Sequence, residues 1–119
     1  MEIEQEEVTI NGVAYVKKGS KPEQGDGKMF ICRSSAAGVF AGEIESRKGK
    51  EVVIRNARRL WYWDGAASLS QLANEGVSKP QNCKFPAEVD KVILTDVCEI
   101  LTMTSKAVNS IKGVKAWVA

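Results

Sequence analysis

The chain turns on Asn56-Ala57-Arg58-Arg59-Leu60-Trp61-Tyr62-Trp63-Asp64-Gly65-Ala66-Ala67-Ser68-Leu69-Ser70-Gln71-Leu72-Ala73. In extended backbone the side chains alternate between two faces, so Arg59, Trp61 and Trp63 share one face and Arg58, Leu60 and Tyr62 the other. Gly65 then hands the strand over to a short helix. Ser68 as N-cap with Gln71 three residues on makes a capping box, Leu69, Leu72 and Ala73 fall on one face, and Gly76 suits a left-handed C-cap. Two turns of helix are marginal alone, so packing must hold them. A strand feeding a small helix sets the expectation of an α+β fold.

Working backward, Val39-Phe40-Ala41-Gly42-Glu43-Ile44-Glu45-Ser46 and Glu51-Val52-Val53-Ile54-Arg55 flank the turn Arg47-Lys48-Gly49-Lys50 and should pair as an antiparallel hairpin. Met29-Phe30-Ile31-Cys32-Arg33-Ser34 precedes them as a buried strand. Further back, Asn11-Gly12 is the dipeptide that tolerates a tight turn, which predicts a β-hairpin over residues 8–16. Residues 18–28 offer little apolar surface and read as a flexible loop. Working forward, residues 77–87 form a loop with one apolar anchor, Phe85. Lys91-Val92-Ile93-Leu94-Thr95 and Val97-Cys98-Glu99-Ile100-Leu101-Thr102-Met103 are β-branched-rich strands. Thr104 or Ser105 caps a last helix that turns Ala107, Val108 and Ile111 inward and ends at Gly113. Trp117 reads as a packing plug. The sum is a curled, mostly antiparallel sheet of five to seven short strands with two short helices. It is organised as an acidic leader and hairpin (1–17), a loop (18–28) and a body (29–119) in one domain, which suits 119 residues.

Composition excludes several function classes. No apolar run approaches the roughly 20 residues that span a bilayer, and Glu2, Glu4, Glu6 and Glu7 are the reverse of a signal peptide, so a cytoplasmic, membrane-free protein is expected. The chain has no histidine. A serine or cysteine nucleophile then lacks its usual base, Cys32, Cys83 and Cys98 have no zinc-site spacing, and the carboxylates show no metal-loop pattern. The expectation is a binding protein, not an enzyme, without cofactor or metal. The cysteines read as reduced, mostly buried thiols. Glu99, between Cys98 and Ile100, is expected to pair with an arginine.

A net charge of +2 does not by itself argue for nucleic acid, although residues 47–59 carry six basic side chains against Glu51 alone. Two adjacent arginines cannot both be buried cheaply. At least one of Arg58 and Arg59 should therefore reach solvent, a partner subunit or a ligand. Arginine's planar fork holds phosphate bidentately and tryptophan faces stack on bases, so this mixture suits a nucleotide. The Gly65-Ala66-Ala67-Ser68 entry to the helix adds backbone N–H groups that favour an anion. Against this, Trp61 and Trp63 read more readily as core or subunit-interface residues, and Ser68 as a cap alone.

The residues Ser34-Ser35-Ala36-Ala37-Gly38-Val39, Gly42, Ser46-Arg47-Lys48-Gly49-Lys50-Glu51-Val52-Val53 and Asn56-Ala57-Arg58-Arg59-Leu60-Trp61-Tyr62-Trp63-Asp64-Gly65-Ala66 carry a resemblance. From about Phe30 to the C-terminus the chain resembles a widespread family of small phage and prophage proteins of unknown function. That family often has an aromatic at the position of Ser35 and a histidine at that of Phe40. Small phage proteins of this kind include sponges that sequester the cyclic nucleotide or ADP-ribose-type signals of bacterial immunity. The resemblance implies a non-catalytic homo-oligomer in the host cytoplasm, with Arg33, Arg58 and Arg59 on phosphates and Trp61 or Trp63 against a base. Ser35, Arg47 and Ser68 complete the candidate set. Two rivals stand beside it: a virion or assembly module whose tryptophans pack subunit interfaces, and a nucleic-acid binder using the basic stripe.

Overall fold

The computed structural model describes residues 28–119. The expected N-terminal hairpin and the loop after it, through residue 27, lie outside them. Five strands, β1 (Phe30–Ser34), β2 (Gly38–Lys48), β3 (Glu51–Arg59), β4 (Val89–Leu94) and β5 (Val97–Thr102), form one antiparallel sheet in the order β4-β3-β2-β1-β5. Two helices, α1 (Leu69–Glu75) and α2 (Ser105–Lys112), complete the expected α+β fold.

The strand order dictates the shape. β4 and β5 are consecutive in sequence yet occupy opposite edges. The steps from Leu94 to Val97 span at most about 11 Å, whereas the edges of a flat five-stranded sheet lie about 19 Å apart. The sheet must curl, and it stays open rather than closing. Val97 N–H donates to Lys50 O at 2.9 Å, drawing the start of β5 to the β2–β3 turn. The curl is bent into β2 and β3, whose register slips between Ala41 and Glu43 and again between Ile44 and Ser46, and Asn56 sits at φ 51°. Gly42 lies at the first slip, where a Cβ would come within 2.9 Å of Arg55 O.

The curl separates two cores by the pleat. Cys32, Phe40, Val52, Ile54, Ala57, Leu94 and Val97 fill its inside. Ile31 and Ala41, on the opposite face of the same strands, join Leu60, Leu72, Phe85, Ala107, Ile111 and Val114 beneath the helices. Burial raises the Cys32 thiol pKa to about 11. Cys83 is buried too, whereas Cys98 is exposed, and all three thiols are free.

Both helices start where the side chains indicate. Ser68 Oγ accepts from Gln71 N–H at 3.1 Å, and the Gln71 side chain reaches back to Ala67 N–H at 2.8 Å. Gly76 ends α1 at φ 79°. Thr104 caps α2 through Ala107 N–H, and its hydroxyl also donates to Asn74 O, joining the two helices. Because Ser68 is exposed and its only side-chain bond is the cap, Ser68→Ala should lower stability by about 1 kcal/mol in urea unfolding. A change near zero would mean that packing alone defines the helix start.

Candidate functional site

The two adjacent arginines part company. Arg58 is 5 % exposed, on the helix-covered face. Its Nε donates to Pro86 O at 2.9 Å, Nη1 to Ile111 O at 2.8 Å, and Nη2 to Phe85 O at 3.1 Å and Val114 O at 2.6 Å. Burial pulls its pKa below the usual arginine value, and Glu88 partly offsets this. The expected phosphate ligand is therefore an internal clamp: four carbonyls occupy its fork, and it gathers the loop before β4, the end of α2 and the C-terminal tail onto the end of β3.

Those gathered segments carry an exposed aromatic surface. Trp117 is held by its N–H on Phe85 O at 3.0 Å, one hydrogen bond from the Arg58 clamp. Lys84 pairs with Tyr62 through backbone bonds of 2.7 and 3.3 Å, which sets it beside Trp61. Trp61 and Trp117 stack with centroids 5.3 Å apart and planes within 6°, and Lys84 Nζ stands 5.4 Å from one ring and 5.6 Å from the other. Trp61 remains 59 % exposed and Trp117 45 %, so their stacking leaves indole surface open to solvent. Two large apolar rings left open around a cation form a surface able to accept a flat, electron-rich or anionic partner. Trp117 also lines a groove of 490 Å³ with Pro80, Gln81, Cys83, Gly113, Lys115 and Ala116. Trp117 as a buried packing plug is thus corrected.

The other candidates lie elsewhere. The strand that should extend to Trp63 stops at Arg59, so alternation is lost: Tyr62 is exposed and Trp63 packs partly buried against the outer core. Arg59 donates to Ala37 O at 2.7 Å with its guanidinium 4.4 Å from the Phe40 ring, covering the rim of the inner core. Arg33 pairs with Glu99 at 2.9 Å across β1 and β5, the arginine partner expected for that carboxylate. Ser35 Oγ donates to Asp96, which also accepts from Ser34 Oγ and Ala36 N–H. These bonds hold the Asp96 carboxyl below its usual pKa. Arg47 lines a recess of 240 Å³ with Cys98 and Glu99. Arg33, Ser35 and Arg47 thus gather around the start of β5, where the first two are spent on internal carboxylates. Ser68 is taken up by its cap. The anion site expected at the start of α1 is corrected too, because α1 has seven residues and Ser68 and Gln71 already satisfy the Gln71 and Ala67 N–H groups.

The basic stripe is likewise divided. Arg55 is bridged to Glu45 and Asp90, Arg58 is buried, and Arg47, Lys48 and Lys50 stand at the β2–β3 turn. Among the described residues, no group of three or more His, Cys, Asp or Glu side chains is placed to hold a metal, and no helix is long and apolar enough to cross a membrane.

Residues 27–111 match the family described as a domain of unknown function, DUF6948. The chain belongs to that family. No curated protein and no solved structure matches it. The match takes in the whole sheet, Arg58 with three of its four carbonyl partners, and Trp61 together with Lys84, but stops before Val114, Lys115 and Trp117. The second half of the exposed surface is therefore contributed by residues beyond the matched domain. Lys84, Gln81, Lys115 and an open Trp117 escaped the sequence reading. The one available signal was the alternation of lysine with an aromatic in Lys115-Ala116-Trp117.

Proposed function

We propose that this is a non-catalytic binding protein that captures a nucleotide-type ligand, its base stacked on the open indole surface and its negative charge drawn to Lys84. Sequestration of a cyclic nucleotide or ADP-ribose-type signal, as by a phage sponge, is the specific form of this reading. One observation carries it: Trp61 and Trp117 stack at the surface, remain about half exposed, and share Lys84. Indole surface of this kind has no use in the fold's own core. The arginines named for phosphate give way to lysine in this reading, because carbonyls fill the Arg58 fork, Arg33 is paired with Glu99, and Arg59 is bonded to Ala37 O over the Phe40 ring.

Isothermal titration against cyclic di- and trinucleotides and cyclic ADP-ribose derivatives tests it, with indole fluorescence as a second readout. At least one member should bind saturably and change the fluorescence. Trp61→Ala should weaken that binding by about 10- to 100-fold, since a base stack contributes on the order of 1–3 kcal/mol. Absence of heat across the panel sinks the proposal.

A second reading, a homo-oligomeric interaction module of a virion or its assembly machinery, draws on a different place. β4 is an edge strand that exposes Val89 (49 %) and Ile93 (55 %), and exposed sheet edges are sites of strand addition. Sedimentation and cyclic-nucleotide titration of the wild type and Ile93→Lys separate the two: this reading requires an oligomer that the substitution dissociates and no binding by either protein, whereas saturable binding by the wild type favours the first.

A further inference from the structure

We infer that the groove between residues 80–83 and 113–117 is the anion-holding half of the binding surface, so that one chain recognises a single nucleotide unit: a base on the indoles and a phosphate at Lys84 and Lys115. This rests on the proposal above and adds where the charge is held and how large the recognised unit is. Three observations converge. First, groove and stack are continuous, because Trp117 belongs to both. Second, at 490 Å³ the groove falls within the roughly 300–1,000 Å³ of small-ligand clefts, whereas the 240 Å³ recess beside β5 falls below it.

Third, Lys115 and Gln81, whose side chains line the groove, are uncommitted. Among the described residues, Arg33, Arg55 and Lys91 are paired with carboxylates, but Lys79, Lys84, Lys112 and Lys115 are not. The acid nearest in sequence to the stack, Asp64, accepts from the Asn82 side chain at 2.9 Å. Its charge is held by a neutral amide instead of neutralising a lysine. Gln81 lines the groove with an amide that makes no hydrogen bond within the described residues, offering both a donor and an acceptor to a base edge. Lysine binds phosphate as a point charge without the fixed geometry of arginine, so recognition here is selective for charge and ring together, and tolerant of phosphate orientation.

The intact chain is titrated with adenosine, 5′-AMP, 5′-GMP and inorganic pyrophosphate, followed by indole fluorescence and backbone amide shifts. Each mononucleotide should bind about tenfold more tightly than adenosine at low salt, an advantage that narrows as salt rises. Lys115→Ala and Lys84→Ala should each reduce that advantage, and the Gln81, Gly113 and Lys115 amides should shift. Equal affinity for adenosine and 5′-AMP, or lysine variants that keep the wild-type advantage, overturns the groove assignment. If a cyclic dinucleotide binds in a Trp61-dependent way and neither mononucleotide does, the single-unit inference falls and sequestration stands. If nothing in either panel binds, both fall.

Discussion

Replacing Arg58 with alanine should destabilise the protein by about 3–5 kcal/mol and lower its thermal midpoint by roughly 10–20 °C. The magnitude follows from what the guanidinium leaves behind. Four of its donor contacts end on main-chain carbonyls of Phe85, Pro86, Ile111 and Val114, drawn from three separate segments. An ordinary hydrogen bond contributes on the order of 1 kcal/mol net, but a buried acceptor left without a donor costs about 1–3 kcal/mol, and alanine also leaves a void beside Phe85 and Ile111. Arg58→Lys should recover less than half of the loss, because one ammonium cannot address four acceptors spread around a planar fork. The second readout is spectroscopic. Parallel indoles 5.3 Å apart couple in circular dichroism, and that signal depends on the tail being docked through Phe85 and Val114. It should weaken in Arg58→Lys at temperatures where the sheet is intact, and vanish in Trp117→Ala. An Arg58→Ala protein that melts with the wild type and keeps the coupled signal removes the clamp from the account.

The same residue shows why the fold was legible in the sequence and the site only partly so. The β2–β3 hairpin, the Ser68 and Thr104 caps, the Phe85 anchor and the inward face of α2 are all specified by residues within a few positions of one another. Periodicity and capping report such local relations. That at least one of Arg58 and Arg59 must reach outward was legible, because burying two cations together is too costly, but both were assigned to phosphate. What Arg58 meets inside could not be read, since its partners are carbonyls 27 to 56 residues away and every residue type has a carbonyl. A reader of side chains considers acids and ligands, and here both were the wrong class of partner. The Trp61–Trp117 stack is hidden for a related reason. It depends on where the tail lies, and the tail's position depends on the clamp. The expected strand also runs four residues beyond the real one: β3 ends at Arg59, so the two-residue period that would align Trp61 with Trp63 stops before either of them.

Gly65, the one glycine of the 56–73 stretch, should resist replacement for a reason other than room beside a helix N-terminus. Its φ is 92°, and its carbonyl accepts from both Ser78 N–H and Ser78 Oγ at 3.3 Å. A Cβ at this position would lie 2.6 Å from Ser78 N and 2.7 Å from Lys79 N, which are main-chain atoms that no side-chain rotation can move aside. Gly49 provides the control within the same protein. It also has positive φ, at 60°, but a Cβ there would meet nothing within 4 Å. Gly49→Ala should therefore cost only the conformational preference, about 1 kcal/mol, while Gly65→Ala should cost about 3 kcal/mol or more once segment separation is added. Urea unfolding of the two variants separates backbone preference from close approach, and equal losses would show that the contact with Ser78 and Lys79 contributes nothing. The displacement also has a direction. Pushing Ser78 and Lys79 away moves the entry to the Pro80–Asn82 turn, which forms one wall of the groove that Trp117 completes. On the proposed function, nucleotide binding by folded Gly65→Ala should fall with its stability, whereas Gly49→Ala should bind as the wild type does.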